Sequence, residues 1–219
     1  MNELYINTAV VSFLFLLIFG LAELAYVKLS VKVELTRKFV HFGSGILCLS
    51  FPFYIINSWL VLLLCVNFLL LLVISKKFNF LKSINNVERK TFGTHLFPVT
   101  IFVLYYLSIK FDSLDFYFLP VLIFAISDPI SALVGKKYPI KQYTLFNQQK
   151  SLGGALSFFI SSLIICLSYV YCFSNLDVMT LILVLTISLF ATLTEGLSFK
   201  GTDNITVPLM VALILYLFL

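Results

Sequence analysis

The residues best suited to chemistry lie in one stretch, 127–154, which reads SDPISALVGKKYPIKQYTLFNQQKSLGG. Asp128 stands inside an apolar run, about ten ångströms of helix before the run ends at Gly135. A lone carboxylate at that depth must be paired, hydrated or bound to a metal, and such residues are usually functional. The structural alternative is a buried pair with a lysine of a neighbouring span, but no predicted span contains a central lysine.

The far side of this stretch is expected to bind an anion. Lys136 and Lys137 end the first apolar run, and after a polar loop Lys150-Ser151 begins the next one, with Gly154 in its first turn. Ser151 is a suitable helix cap, and the free amides of a helix start favour negative charge. The residue order of a Walker A loop, GxxxxGK(S/T), is absent, although the expected binding of an anion by a lysine and the amides of a helix start is the same.

The composition is that of an integral membrane protein. Of the 219 residues, 61% are hydrophobic and 11% charged, and the mean hydropathy is +1.06. Such a chain predicts an all-α, polytopic membrane helix bundle, with 1–219 as a single integral-membrane domain. The four cysteines fall within or beside apolar runs and are interpreted as small hydrophobic residues.

Apolar segments near the length of a bilayer span divide the chain into eight predicted spans, or seven if the second and third are not separate. They cover 4–27, 39–56, 58–75, 94–110, 116–135, 152–173, 177–196 and 204–219.

The basic residues fall almost entirely in alternate loops. Fourteen of the 15 lysines and arginines follow the first, third, fifth and seventh spans, and Lys110 is the exception. The positive-inside rule then predicts a multi-pass membrane protein with both termini outside and the active site at the cytoplasmic face. In a bacterium this membrane would be the cytoplasmic (inner) membrane. This distribution, rather than the net charge of +5, is the informative property, and it does not indicate nucleic-acid binding. Nothing in the sequence specifies an oligomeric state.

A second set of polar residues precedes the second span. Glu34, Arg37, Lys38 and His41 share one helical face. Arg37 and Lys38 alone are typical anchors for anionic lipid headgroups. His41, however, lies within the start of an apolar span, which favours a functional role for the cluster.

Two further clusters are predicted on the same side. One is 88–95, in which Arg89 precedes a Thr-Phe-Gly-Thr turn. The other contains Glu195, Lys200, Asp203 and Asn204. A helix cap would explain either Asp203 or Asn204, whereas these oxygens together with Asp128 form a plausible Mg²⁺ site.

Four segments together resemble the CTP-dependent lipid-alcohol kinases, the family of phytol kinase, dolichol kinase and the CTP-using diacylglycerol kinase of yeasts. They are RKFVHFGSG at 37–45, ERKTFGTHLFP at 88–98, SDPISALVGKK through KSLGG at 127–154, and TEGLSFKGTDNITVPL at 194–209. The short phytol-kinase-like branch is the nearest in pattern. Ser127 and Pro139 depart from it, since glycine or alanine is common at the first position and glycine at the second.

The resemblance implies transfer of the γ-phosphate of CTP to the hydroxyl of an isoprenoid alcohol or diacylglycerol. Asp128 takes the place of the family's aspartate. Lys150, Ser151 and Gly154 fall on its lysine-serine/threonine and glycine, and Lys200, Asp203 and Asn204 on its last loop.

The predicted mechanism assigns three roles to these residues. Asp128 or His41 accepts the hydroxyl proton. Asp128 and Asp203, with Asn204 and Glu195, hold Mg²⁺ as cofactor. The nucleotide phosphates are neutralised or bound by a set of basic and small residues: Arg37, Lys38, Arg89, Lys136, Lys137, Lys150, Ser151, Gly154 and Lys200.

Two other classes of protein are weighed against a kinase. A CTP-dependent cytidylyltransferase that makes a CDP-lipid shares the membrane, CTP and Mg²⁺, but Lys200-Gly-Thr-Asp-Asn204 does not match its usual DRxD-like run. A transporter without catalysis would place polar groups near the bilayer midplane, where this chain is apolar.

Overall fold

The structure is a computed structural model that describes residues 2–86, 91–146 and 148–218. Eight long helices and two short helices of four residues each are found in these ranges. In chain order the helices are α1 (Asn2–Leu29), α2 (Val33–Cys48), α3 (Phe51–Tyr54), α4 (Ser58–Lys77), α5 (Lys82–Asn85), α6 (Gly93–Lys110), α7 (Asp115–Lys137), α8 (Leu152–Phe173), α9 (Val178–Leu197) and α10 (Asp203–Leu217).

The prediction of an all-α membrane bundle is confirmed. Five helices, α1, α4, α7, α8 and α9, are long and apolar enough to cross a membrane, and α10 is a shorter apolar helix. The remaining long helices, α2 and α6, have 16 and 18 residues. The eight long helices match the eight predicted spans one to one in order.

The second predicted span, 39–56, has different bounds in the structure. Helix α2 begins at Val33 and ends at Cys48, and α3 follows as a separate short helix. Asn57 then caps α4 by accepting a hydrogen bond from the Trp59 amide at 2.9 Å. Because α2 starts earlier than hydropathy indicates, the charged residues before position 39 belong to the helix, which matters for the site.

The polar loop after α7 forms a β-hairpin that hydropathy did not predict. Strands β1 (Gln142–Leu145) and β2 (Gln148–Ser151) pair antiparallel, with Tyr143 opposite Lys150. The tip of the hairpin packs against the α9–α10 connection through Phe146 and Phe199, whose ring centroids are 4.7 Å apart. The hairpin therefore bridges the start of α8 and the end of α9.

Helix α7 is the most buried of the five candidate spans and packs against α2, α6, α8 and α10. Two buried tyrosines form hydrogen bonds between segments at the centre of the bundle. The Tyr117 hydroxyl donates to the Cys48 carbonyl at 2.7 Å, and the Tyr105 hydroxyl donates to the Ile55 carbonyl at 2.8 Å.

Glycines allow α7 to approach its neighbours closely. A Cβ at Gly45 of α2 would overlap the Cβ of Ala125 in α7. On the other side of α7, a Cβ at Gly154 of α8 would lie 3.3 Å from the Cα of Gly135. These two crossings bring the ends of α2, α7 and α8 together around one cavity.

Candidate active site

A cavity of about 410 Å³ opens among the ends of the helices that carry the four polar clusters. Its volume lies in the range of small-molecule sites. It is lined by predicted site residues from three of the clusters: Arg37, Lys38, His41, Asp128, Lys136, Lys150, Ser151, Gly154, Glu195, Asp203 and Asn204. Thr91, Gly93 and Thr94 represent the fourth cluster. Residues far apart in sequence thus meet in one place.

Asp128 is buried at this cavity and carries an ion pair. Its Oδ2 accepts a hydrogen bond from Lys38 Nζ at 2.6 Å, and His41 Nε2 lies 3.5 Å from the same oxygen. The expectation that no lysine pairs with Asp128 was therefore wrong. Lys38 lies within α2 rather than before it, and its long side chain reaches across the α2–α7 crossing.

His41 is held in place by α7. Its Nε2 lies 3.0 Å from the Phe124 carbonyl oxygen, and its ring packs edge-on against the Phe124 ring at a centroid distance of 4.3 Å. A carbonyl oxygen can only accept a hydrogen bond, so Nε2 carries the hydrogen in this arrangement. The Nδ1 atom then keeps its lone pair and is available as a proton acceptor.

Arg37 extends the α2 face, as predicted. Its Nη2 donates to Glu34 Oε2 at 3.0 Å. Its Nε is buried and has no hydrogen-bond partner among the residues described. A buried guanidinium donor without a partner is costly unless a ligand supplies an acceptor, and phosphate oxygens are well suited to this role.

Lys150 joins the hairpin to α9. Its Nζ donates to Glu195 Oε1 at 2.8 Å and also to the Glu195 carbonyl. The Lys150 and Glu195 side chains are 13% and 12% exposed, so the pair is largely shielded from solvent. Tyr143 of β1 lies nearby, and its pKa is raised by burial and by the negative charge of Glu195.

The start of α8 has the predicted cap. Ser151 Oγ accepts from the Gly154 amide at 3.1 Å and donates to the Gly135 carbonyl at 3.3 Å. The Ser151 hydroxyl therefore fixes the start of α8 against the end of α7. The prediction that Ser151 caps this helix is confirmed.

Asp203 and Asn204 begin α10, and neither is its N-cap. Asn204 Nδ2 donates to the Gly93 carbonyl at 2.7 Å, which ties α10 to α6. Asp203 Oδ1 accepts a hydrogen bond from the backbone amide of Asn204 at 3.0 Å. No basic side chain in the described ranges forms an ion pair with Asp203. Its carboxylate is thus the acidic group at the cavity best placed to attract an external cation.

The site has the donor chemistry for Mg²⁺ without a complete protein cage. Within the described ranges, no three His, Cys, Asp or Glu side chains are grouped closely enough to hold a metal ion between them. Magnesium usually takes one or two carboxylates together with phosphate oxygens and water, so a complete cage is not required. Asp128, Glu195 and Asp203 all line the cavity, and the first two already have lysine partners.

Two of the predicted phosphate-binding residues that the structure describes are not brought to the cavity. Lys137 is exposed, with its Nζ 5.2 Å from the centre of the Tyr138 ring, and does not line the cavity. Lys200 is exposed as well and does not line the cavity; its backbone carbonyl accepts hydrogen bonds from the Phe92 amide at 2.8 Å and from the Thr91 hydroxyl at 3.2 Å. Arg89 lies outside the described residues.

Several lining residues were not predicted from the sequence. They are three glutamines of the hairpin and one serine each of α2 and α7: Gln142, Gln148, Gln149, Ser44 and Ser131. Tyr143 and Thr144 favour strands, which was the available signal for β1, whereas the Gln-Gln-Lys-Ser of β2 contains no residue type enriched in strands.

Together the fold and the cavity define an α-helical integral membrane protein with a charged, nucleotide-sized site set into the ends of its helices. Over 181 residues the chain is 30% identical to a phytol kinase of Synechocystis sp., an alignment that covers 83% of this chain and 78% of that kinase. No family model matches the chain, and no solved structure matches it. The chain belongs to the lipid-alcohol kinase family, on its short phytol-kinase-like branch, as the four motifs predicted. It is a phosphotransferase that acts on an alcohol group.

Proposed function

We propose that this protein, acting as one integral-membrane domain, transfers the γ-phosphate of CTP to the hydroxyl of an isoprenoid alcohol, with Mg²⁺ as cofactor. The observation that carries the proposal is the single cavity in which Lys38, His41, Asp128, Lys150 and Asp203 meet. The choice of an isoprenoid alcohol follows the related kinase, whose name specifies phytol. The choice of CTP follows the family pattern of the four motifs.

The balance of charge at the cavity supports a magnesium-bound polyphosphate. The described lining has four basic side chains, Arg37, Lys38, Lys136 and Lys150, and four acidic ones, Glu34, Asp128, Glu195 and Asp203. A nucleoside triphosphate brings several negative charges into this nearly neutral lining. A divalent cation at Asp203 and Asp128 would offset part of that charge and polarise the phosphate oxygens.

The basic residues are proposed to stabilise the transferring phosphoryl group. Charge spreads over its equatorial oxygens in the transition state, so positioned cations and donors supply most of the catalysis. Arg37 offers its unpartnered Nε, and Lys38 is held close to the reacting centre by Asp128. Lys136, exposed at the mouth of the cavity, meets the outer phosphates.

His41 is proposed to accept the proton of the lipid hydroxyl through Nδ1. Its Nε2 is occupied by the Phe124 carbonyl, which fixes the ring and leaves the other nitrogen for the substrate. Asp128, already bound to Lys38, is assigned to the metal and to the orientation of His41 instead. Removing a general base typically lowers turnover by about 10²–10⁴-fold.

The hairpin is proposed to cover the nucleotide. Gln142, Gln148 and Gln149 line the cavity from this side, and an amide side chain offers both donors and acceptors to the edge of a base. The lipid would approach from the membrane with its hydroxyl at the level of His41. In the proposed orientation this end of the bundle faces the cytoplasm, as the basic loops predict.

The test is a transfer assay on purified protein in detergent. The assay combines Mg²⁺, a panel of lipid alcohols that includes isoprenoid alcohols and diacylglycerol, and CTP or ATP carrying label in the γ-phosphate. The expected result is label in an isoprenoid alcohol, CTP as the better donor, and loss of transfer in Asp128→Asn. Release of pyrophosphate with cytidine in the lipid would instead identify a cytidylyltransferase. Absence of transfer by a folded sample, with any alcohol and donor, would refute the proposal.

A further inference from the structure

A second, apolar cavity continues inward from the polar one. It has a volume of about 40 Å³ and is lined by residues of α1, α2, α4 and α6 with Phe51 of α3. Four residues line both cavities and so mark where one passes into the other: Phe19, Ser44, Leu72 and Phe97. We call this second cavity the apolar passage. The apolar passage therefore adjoins the polar cavity of the candidate active site.

The change from polar to apolar lining occurs within α2. His41 faces the polar cavity, Ser44 lies one helical turn further on, and Cys48 belongs to the apolar passage alone. The Ser44 hydroxyl is buried and finds no hydrogen-bond partner in the described part of the chain. Among the described residues that line the apolar passage it is the only serine or threonine, and the others are phenylalanine, leucine, isoleucine, cysteine and proline.

Aromatic rings form one wall of the apolar passage. The Phe68 ring of α4 packs against two rings of α1, with centroid distances of 4.5 Å to Phe15 and 5.9 Å to Phe19. Phe15 also contacts Phe51, at 6.1 Å. This wall is uncharged, and the volume of the apolar passage, about 40 Å³, corresponds to about three water-sized spheres.

We propose that the apolar passage holds the hydrocarbon tail of a lipid alcohol with a single chain. The enzyme then selects its substrate by the tail as well as by the hydroxyl group. The inference rests on the proposed function, because it needs a lipid hydroxyl near His41. A single chain can follow the passage by displacing the rings of Phe15 and Phe68. The two acyl chains of a diacylglycerol cannot enter it side by side. The unpartnered Ser44 hydroxyl supplies a hydrogen bond to the substrate oxygen where the polar head meets the tail.

Leu64 is the residue at which to test this. Leu64 is buried in α4 and lines the apolar passage, whereas its neighbour Leu63 is 54% exposed on the outer surface of the same helix. Leu64→Trp fills the far end of the passage, and Leu63→Trp adds the same side chain outside it. Neither residue lines the polar cavity.

The measurement is kcat/KM for isoprenoid alcohols of one to four isoprene units, expressed as the ratio of the longest to the shortest on the same sample. This ratio does not depend on the fraction of folded enzyme. Each methylene group of the tail that is kept out of apolar surroundings weakens the affinity for the alcohol by about fourfold. We expect Leu64→Trp to lower the ratio by at least about tenfold, while Leu63→Trp leaves it unchanged. An unchanged ratio in Leu64→Trp that still uses the shortest alcohol would overturn the proposal.

A photolabelling experiment on the wild-type protein decides the matter if Leu64→Trp does not fold. The probe is an isoprenoid alcohol with a diazirine at the end of its tail. Labels in peptides containing Phe15, Leu64 or Phe68, removed by excess unlabelled alcohol, support the apolar passage. Labels spread over α8 and α9 and not displaced would contradict it. Failure of the wild-type protein to phosphorylate any alcohol would refute the proposed function, which is a separate result.

Discussion

Lys38 and Asp128 lie 90 residues apart in the sequence, yet Lys38 Nζ and Asp128 Oδ2 are 2.6 Å apart where α2 crosses α7. This ion pair joins the helix that carries His41 to the helix whose last turn carries Lys136, another residue that lines the cavity. It is only slightly exposed, at 12% and 11% of the two side chains, so its geometry is fixed by the packing of the helices.

Lys38 and Asp128 are expected to stabilise the protein through their mutual interaction, and Asp128 is expected to be essential for catalysis. Removing one partner of a shielded pair leaves the other charge uncompensated, so Lys38→Gln and Asp128→Asn should each lower the Tm in detergent. The double variant should be less destabilised than the sum of the two, by a coupling of about 0.5–3 kcal/mol. Asp128→Asn should lower kcat by at least about 10²-fold.

Asp112→Asn is the matched control for this cycle, because Asp112 is exposed, lies outside the cavity, and has a positive φ of 50° that asparagine tolerates. It should leave both the Tm and kcat unchanged. Additive effects of Lys38→Gln and Asp128→Asn would show that the two side chains do not interact.

The α2–α7 crossing is expected to depend on Gly45. Gly45→Ala places a methyl group onto Ala125, which forces the helices apart and moves Lys38 and His41 away from Asp128. Overpacking of this kind typically costs about 1–3 kcal/mol. Activity and thermal stability should both fall. Gly43→Ala on the same helix is the control, since its Cβ would meet only the Ile18 side chain, at 3.5 Å. Equal behaviour of the two variants in kcat and Tm would argue against the close crossing.

The Lys150–Glu195 pair is expected to hold the hairpin in place over the nucleotide. Lys150→Met should raise the KM for the nucleotide by about tenfold or more, because a charge-assisted hydrogen bond is lost. It should also speed chymotrypsin cleavage at the hairpin tip, near Phe146 in the wild type. Lys141→Met is the control, as Lys141 is exposed on the same segment and does not line the cavity. Unaltered cleavage and KM in Lys150→Met would show that the pair does not secure the hairpin.

Asp203 is expected to set the requirement for Mg²⁺. Chelation of Mg²⁺ should abolish transfer by the wild-type protein, and readdition should restore it. Asp203→Asn should raise the Mg²⁺ concentration for half-maximal activity by about tenfold or more, since a carboxylate is replaced by a neutral ligand. Glu195→Gln is the comparison, because Glu195 is bound to Lys150, and its Mg²⁺ requirement should move less. A larger shift of the Mg²⁺ requirement in Glu195→Gln than in Asp203→Asn would assign the cation to Glu195 rather than to Asp203.

The orientation in the membrane can be tested with a native cysteine. Of the four cysteines, Cys172 is exposed, near the end of α8, and the other three are buried. If both termini are outside, a membrane-impermeant maleimide should label Cys172 in intact cells and should not label Cys172→Ser. Lys141→Cys, introduced into the Cys172→Ser protein, should be labelled only in inverted vesicles. The opposite pattern would reverse the proposed topology.

The amino-acid sequence determined the class of protein and much of the candidate site. Long apolar runs specify spanning helices because backbone polar groups must be satisfied inside a membrane. Helical periodicity placed Arg37, Lys38 and His41 on one face, and capping chemistry identified Ser151, all of which the structure bears out. The order of the four motifs identified the family.

Only the tertiary structure decided which side chains meet. The pairing of Lys38 with Asp128, the hairpin that carries Lys150 to Glu195, and the apolar passage beneath Ser44 all join segments far apart in the chain. Hydropathy and periodicity describe one helix at a time, whereas these contacts depend on where helices cross. The crossings in turn depend on the close approach that glycines such as Gly45 allow.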